Sequence, residues 1–99
     1  MNIARMSEFQ AKAGKEAALR DFLRSLLPLI RSAPGCLSCE LFQNQADPAK
    51  YVIVEMWESV EAHKASVKNI PPELLEQVIP LLEGSPSGQY YHSLAREEA

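Results

Sequence analysis

The run Tyr51-Val52-Ile53-Val54-Glu55-Met56-Trp57 constrains this chain more than any other feature. β-Branched and aromatic residues favour extended backbone, and successive side chains of a strand point to opposite faces. One face of this strand carries Val52, Val54 and Met56, and the other carries Tyr51, Ile53, Glu55 and Trp57. A half-solvated antiparallel strand would alternate apolar with polar residues. Here both faces are apolar, so the sheet needs cover on both sides. A chain of 99 residues supplies one core and one domain, spanning 1–99 with its core in about 2–95 and a loose tail at 96–99. A core of this size buries only about 60 to 65% of the unfolded chain's surface. The simplest cover for the second face is another copy of the sheet, so a homodimer is expected.

The flanking segments supply the cover for the first face. Residues 2–10 alternate loosely, with Ile3 and Phe9 on one side and Ala4 and Met6 on the other, and form a first strand. Leu19, Phe22, Leu23, Leu26, Leu27 and Ile30 recur at spacings of three and four, the stripe of an amphipathic helix. Pro28 lies inside that stripe and predicts a kink or a tightened last turn, and Pro34-Gly35 ends the helix. Cys36–Gln45 and Tyr51–Glu58 are extended runs joined through Asp47-Pro48, which predicts a hairpin. Ser59 caps a helix carrying Val60, His63 and Val67, with Glu61 near its positive end. Asn69-Ile70-Pro71-Pro72 interrupts it, a second helical piece follows to Gly84, and Gln89–Ala95 is a last strand. The order is β-α-β-β-α-β, an α+β ferredoxin-like arrangement with an antiparallel sheet and both helices on one face.

Charge and composition exclude several classes. The net charge is −3, with seven Lys or Arg against five Asp or Glu in residues 1–50 (a balance of +2) and three against eight in residues 51–99 (a balance of −5). No cationic footprint for displacing phosphate counterions is present, so nucleic acid is not an expected partner. The longest apolar run, Leu26-Leu27-Pro28-Leu29-Ile30, is far short of the roughly 20 residues of a membrane span. The first eight residues lack the basic and apolar regions of a signal peptide, and two cysteines fit reduced thiols, so a cytoplasmic location is expected.

Few residues can carry chemistry. Cys36-Leu37-Ser38-Cys39 matches CxxC, but residues three apart on a regular strand face opposite ways, so the thiols are expected to lie apart as small apolar side chains. No second ligand pair completes a zinc site, and no metal is expected. His63 lies on the apolar stripe of its helix, and Glu55 and Trp57 share one strand face two residues apart. If that face looks toward the helices, the three line one cavity. A buried Glu55 then needs a partner, which His63 or a tyrosine would supply. A histidine so placed suits proton abstraction near neutral pH, and an indole wall suits an aromatic ligand. Tyr51 and Tyr91 are further candidates for contact with substrate. Tyr90 and His92 share the face opposite to Tyr91.

Pro34-Gly35-Cys36 before a strand, Asp47-Pro48, the run Tyr51 to Ser59 and then Glu61-Ala62-His63 together resemble the antibiotic biosynthesis monooxygenase family, over about Asn2 to Leu94. The resemblance implies a dimeric α/β barrel built from two ferredoxin-like sheets. It also implies oxidation of a small electron-rich aromatic, a quinol or phenol, by dioxygen as co-substrate with no flavin, haem or metal. On this reading His63 is the catalytic base, Glu55 orients the reacting groups, and Trp57 is a wall or hydrogen-bond donor. Only five residues separate Trp57 from His63, fewer than is common in the family. The alternatives are a non-catalytic or stress-associated dimer that holds a small apolar molecule, a haem-degrading relative, or a relative that processes phosphorylated signalling molecules. The last would require Arg5 to point inward.

Overall fold

A computed structural model describes residues 2–99. Its elements are β1 (Ile3–Gln10), α1 (Glu16–Ser32), β2 (Cys36–Gln43), β3 (Lys50–Trp57), α2 (Val60–Val67), α3 (Pro72–Val78), a 3-10 turn at Ile79–Leu81, and β4 (Ser87–His92). The sheet order is β2-β3-β1-β4, and every neighbouring pair is antiparallel. This is the ferredoxin-like fold, with β3 and β1 central.

The helices cover the face bearing Tyr51, Ile53, Glu55 and Trp57, all of them buried, and pairing aligns Ile3, Arg5, Ser7 and Phe9 of β1 with these four. The amphipathic stripe of α1 seats Leu19 and Leu23 at zero exposure against Tyr51, Ile53, Ala11 and Leu82. A second cluster joins Ile3, Cys36 and Trp57, with Val60 and Ala62 of α2 packed on it. Burial at these positions sets the attachment of α1, since removing a core leucine side chain costs about 2–5 kcal/mol.

Local chemistry fixes the helix ends. Pro28 does not terminate α1, which runs on to Ser32, so the missing proline amide costs the helix one bond rather than its last turn. The chain then turns through Gly35, whose φ of +87° lies in the left-handed region, and a Cβ there would come within 2.7 Å of Ala62 Cβ. Gly35 also accepts a hydrogen bond from Glu58 N at 2.9 Å, which ties the end of α1 to the start of α2. Ser59 caps α2, its hydroxyl oxygen accepting from Ala62 N at 3.1 Å. Pro72 opens α3 at a position where its missing N–H costs nothing.

The opposite sheet face carries Ala4, Met6, Glu8, Val52, Val54, Met56, Phe42 and Tyr91. Among the described residues, no helix or further strand covers it. Met6, Phe42 and Tyr91 are 37, 46 and 45% exposed, respectively. No helix among the described residues is long and apolar enough to cross a membrane.

Candidate active site

A cavity of about 250 Å³ lies where α1, α2 and α3 meet the sheet. Phe22, Leu23, Leu26 and Ile30 of α1 wall it on one side, with Val67, Ile70, Leu74, Leu75 and Val78 on another. The sheet contributes Arg5, Ser7, Phe9, Ile53 and Glu55, and α2 contributes His63 and Ser66. Five polar side chains therefore stand in an otherwise apolar lining, an arrangement suited to a ligand that is mostly apolar and oriented by a few contacts.

β3 and α2 bring the polar groups together. Glu55 and His63 are 6 and 8% exposed, which are low values for ionisable side chains. Trp57 Nε1 donates to Glu55 Oε1 at 2.9 Å, and His63 Nε2 lies 3.9 Å from the same oxygen. The expected partner of Glu55 is thus corrected: the hydrogen bond comes from the indole two residues on, and the histidine stands one gap further away. Tyr90 Oη sits 2.6 Å from His63 Nδ1 and fixes the imidazole from its other side. The ring of His63 meets Trp57 and Tyr90 edge-on, at centroid distances of 5.4 and 5.3 Å.

Burial governs the titration of both groups. Desolvation raises the Glu55 carboxyl above its ordinary value, opposed by the Trp57 hydrogen bond and by the charge of Arg5. Desolvation lowers His63, and Arg5 pushes it the same way. His63 is therefore a neutral imidazole near pH 7, able to accept a proton.

The other sequence candidates scatter. Trp57 is fully buried behind Glu55 and does not line the cavity. Tyr51 is fixed at the far end of β3, where its hydroxyl donates to Glu16 O at 2.9 Å and accepts from Gln43 Nε2 at 3.2 Å. It borders surface grooves of about 410 and 340 Å³ that contain neither His63 nor Glu55. Tyr91 is on the uncovered sheet face, so neither tyrosine can touch a ligand in this cavity. Arg5, Ser66 and Tyr90 are the site residues that pattern reasoning left in the background. A charge on the same side of β1 as Ile3 and Phe9 was the available signal for Arg5.

The CxxC expectation is also corrected. A bulge between Cys36 and Ser38 shifts the register of β2, so that Cys36 lies opposite Trp57 and Cys39 opposite Glu55, both on the helix-covered face. Burial raises both thiols, and Cys39 raises Cys36 further. Both cysteines are free. Among the described residues, no three His, Cys, Asp or Glu side chains converge as a metal site.

Fold and cavity together define a ferredoxin-like domain with a buried acid–base pair under its helices. The chain belongs to the antibiotic biosynthesis monooxygenase family, whose family model matches residues 2–78. Among solved structures it is similar to SO0527 from Shewanella oneidensis, at 31% identity over 93% of this chain and 90% of that one, with a TM-score of 0.81. Rv0793 from Mycobacterium tuberculosis aligns at 21% identity over 99% and 100% of the two chains, with a TM-score of 0.84. A structure described as an antibiotic biosynthesis monooxygenase aligns at 18% identity over 94% and 99%, with a TM-score of 0.82. The last two likenesses speak to the fold alone. Comparison with curated protein sequences gives no match.

Proposed function

We propose that the protein is a cytoplasmic monooxygenase that oxidises a small electron-rich aromatic, a phenol or quinol, with dioxygen as co-substrate and no cofactor. The observation that carries this reading is a neutral, buried His63 beside Glu55 at the polar end of an apolar cavity. An apolar cavity of about 150 Å³ holds benzene, so one of about 250 Å³ suits a one- or two-ring substrate.

Of the two neutral tautomers of His63, the one protonated at Nδ1 donates to Tyr90 Oη and leaves the Nε2 lone pair for the substrate. Nε2 takes the phenolic proton, and Glu55 at 3.9 Å stabilises the imidazolium that forms. The phenolate gives one electron to dioxygen, and the resulting radical pair joins at a ring carbon as a peroxide that takes the proton back from His63. Loss of the ring C–H proton with cleavage of the O–O bond forms a quinone carbonyl and releases water. One oxygen atom enters the product and the other leaves in water, with all four electrons drawn from the substrate. The protein's part is proton transfer, orientation and exclusion of bulk water.

This reading includes a homodimer in which the uncovered sheet faces pack on each other, supported by the apolar side chains exposed there. The test is oxygen uptake with a panel of one- and two-ring hydroquinones and naphthols. His63→Ala is expected to slow turnover by about 10²- to 10⁴-fold without loss of helical circular dichroism. The acid limb of the wild-type rate should fall below the ordinary histidine value of 6.5. Unchanged turnover in the variant removes His63 from the mechanism. Binding by the panel without any oxygen uptake would instead identify a small-molecule-binding protein.

A further inference from the structure

Arg5 is the one charged cavity-lining residue to which the proposed chemistry gives no task. It sits in the middle of β1, opposite Glu55 on one side and Tyr90 on the other. Its guanidinium lies 4.6 Å from the centroid of the Tyr90 ring, a cation–π contact. Among the described residues it makes no salt bridge and no hydrogen bond, and its Nε is buried with no partner. The other arginines with partners find them elsewhere: Arg20 with Asp21, Arg31 with Cys36 O, Arg96 with Glu98. A fixed cation in an apolar wall with unmade hydrogen bonds is costly unless something else meets it.

The sheet keeps a place clear for this group. Gly88 lies beside Arg5, and a Cβ there would come within 2.6 Å of Cζ and 2.8 Å of Nε. Gly88 does not have a positive φ, so the absence of a side chain serves space rather than backbone conformation. The guanidinium thus lies between the Tyr90 ring and the bare backbone of Gly88, in the lining of the cavity.

We propose that Arg5 is a specificity residue that selects aromatic substrates bearing a carboxylate, which pairs with the guanidinium while the ring fills the apolar remainder. This inference deepens the monooxygenase reading and rests on it for the use of the cavity. Planar, two-pronged pairing is the geometry in which arginine and carboxylate match best. Among the described residues no salt bridge joins Glu55 to the guanidinium, so the fork is not already taken by a carboxylate of the chain. Arg5 is the only lysine or arginine in the cavity lining, and burial keeps His63 from adding a second cation near pH 7. A carboxylate pairs with Arg5 and leaves a phenolic group on the same ring free to approach Nε2.

The test is calorimetric titration with 2-naphthoate, its neutral counterpart 2-naphthalenemethanol, and 2-naphthyl phosphate. Wild type should bind the carboxylate about tenfold or more tightly than the alcohol, as expected for one charge-assisted pair. Arg5→Met should erase that ratio and leave alcohol binding close to wild type. Arg5→Lys should keep part of the ratio, since it offers a point charge without the fork. Gly88→Ala keeps every charge but displaces the guanidinium, and it should lower the ratio even if Arg5→Met does not fold. Equal binding of carboxylate and alcohol by wild type, or an unchanged ratio in Gly88→Ala together with a folded Arg5→Met, overturns the proposal. Preference for the phosphate over the carboxylate overturns the choice of carboxylate. Oxygen uptake with 1-hydroxy-2-naphthoate and 1-naphthol separates the two readings. Selective binding without uptake removes the monooxygenase and leaves the anion site. Uptake without anion preference removes the anion site and leaves the enzyme.

Discussion

Glu55 is held at a cost. Among the described residues its only side-chain hydrogen bond is the one it accepts from Trp57, and desolvation raises its carboxyl above the ordinary 4.5. A raised acid holds its proton in the folded state after the unfolded chain has released it. Its burial therefore costs stability once pH rises through 4.5, and the penalty grows until the folded group itself ionises. His63 is lowered from 6.5, so it weakens the fold in the other direction, as pH falls below that value and the unfolded histidine charges first. Glu55→Gln retains an oxygen for the indole and removes the ionisable group. It should melt at higher temperature than wild type at pH 7, lose that advantage below about pH 4.5, and turn over more slowly. A lower melting temperature at pH 7 would show that the carboxylate is a net structural asset. The sequence made Glu55 and His63 visible through shared faces and period-two alternation. It did not show which partner reaches the carboxylate, because an indole and an imidazole on adjacent elements compete at distances that spacing does not resolve.

The connection between α1 and α2 sets the position of His63. Gly35 meets Ala62 and accepts from Glu58 N, and the Ser59 cap then starts α2 with His63 four residues on. Gly35→Ala puts a Cβ into the left-handed region and against Ala62, and should cost about 1–3 kcal/mol. Thermal unfolding should show the loss, and turnover should fall further than stability alone explains because α2 is pushed off the sheet. Retained melting temperature with full activity would show that the loop relaxes freely. Pro34-Gly35, Ser59 and Pro71-Pro72 were legible because each acts through its own backbone. The β2 bulge was not, since nothing in Cys36-Leu37-Ser38-Cys39 distinguishes a regular strand from one that gains a residue. A regular strand separates the two thiols, and the bulge reunites them. The end of β4 was likewise overestimated: pairing stops at His92, and Leu94 is 90% exposed.

The whole molecule has one finished surface and one unfinished one. Helices cover the face with Ile53 and Trp57, whereas Val52, Val54 and Met56 are only half-buried within a single chain. In the proposed homodimer a second copy covers this face. Val54 lies across from Met6 and Glu40, at the middle of that face. Val54→Lys should be tolerated by the single chain, where Glu40 is its cross-strand neighbour, and should break the pairing of two copies by burying a cation between them. Sedimentation should then show a dimer for wild type and a monomer with native circular dichroism for the variant. A wild-type monomer at micromolar concentration would remove the barrel. Both-sided hydrophobicity of β3 was the clearest statement in the sequence, since it needs only alternation. Which end of that strand carries the cavity was not legible: Tyr51 and Glu55 share a face, and only helix placement separates them.

Trp57 is the sole tryptophan of the chain, and its N–H points at the carboxylate of Glu55. The protein therefore carries an intrinsic optical probe wired to its own acid, free of background from any other indole. Ultraviolet emission from one fluorophore follows the ionisation of that group, its response to an arriving ligand and the loss of the fold, without any label being introduced.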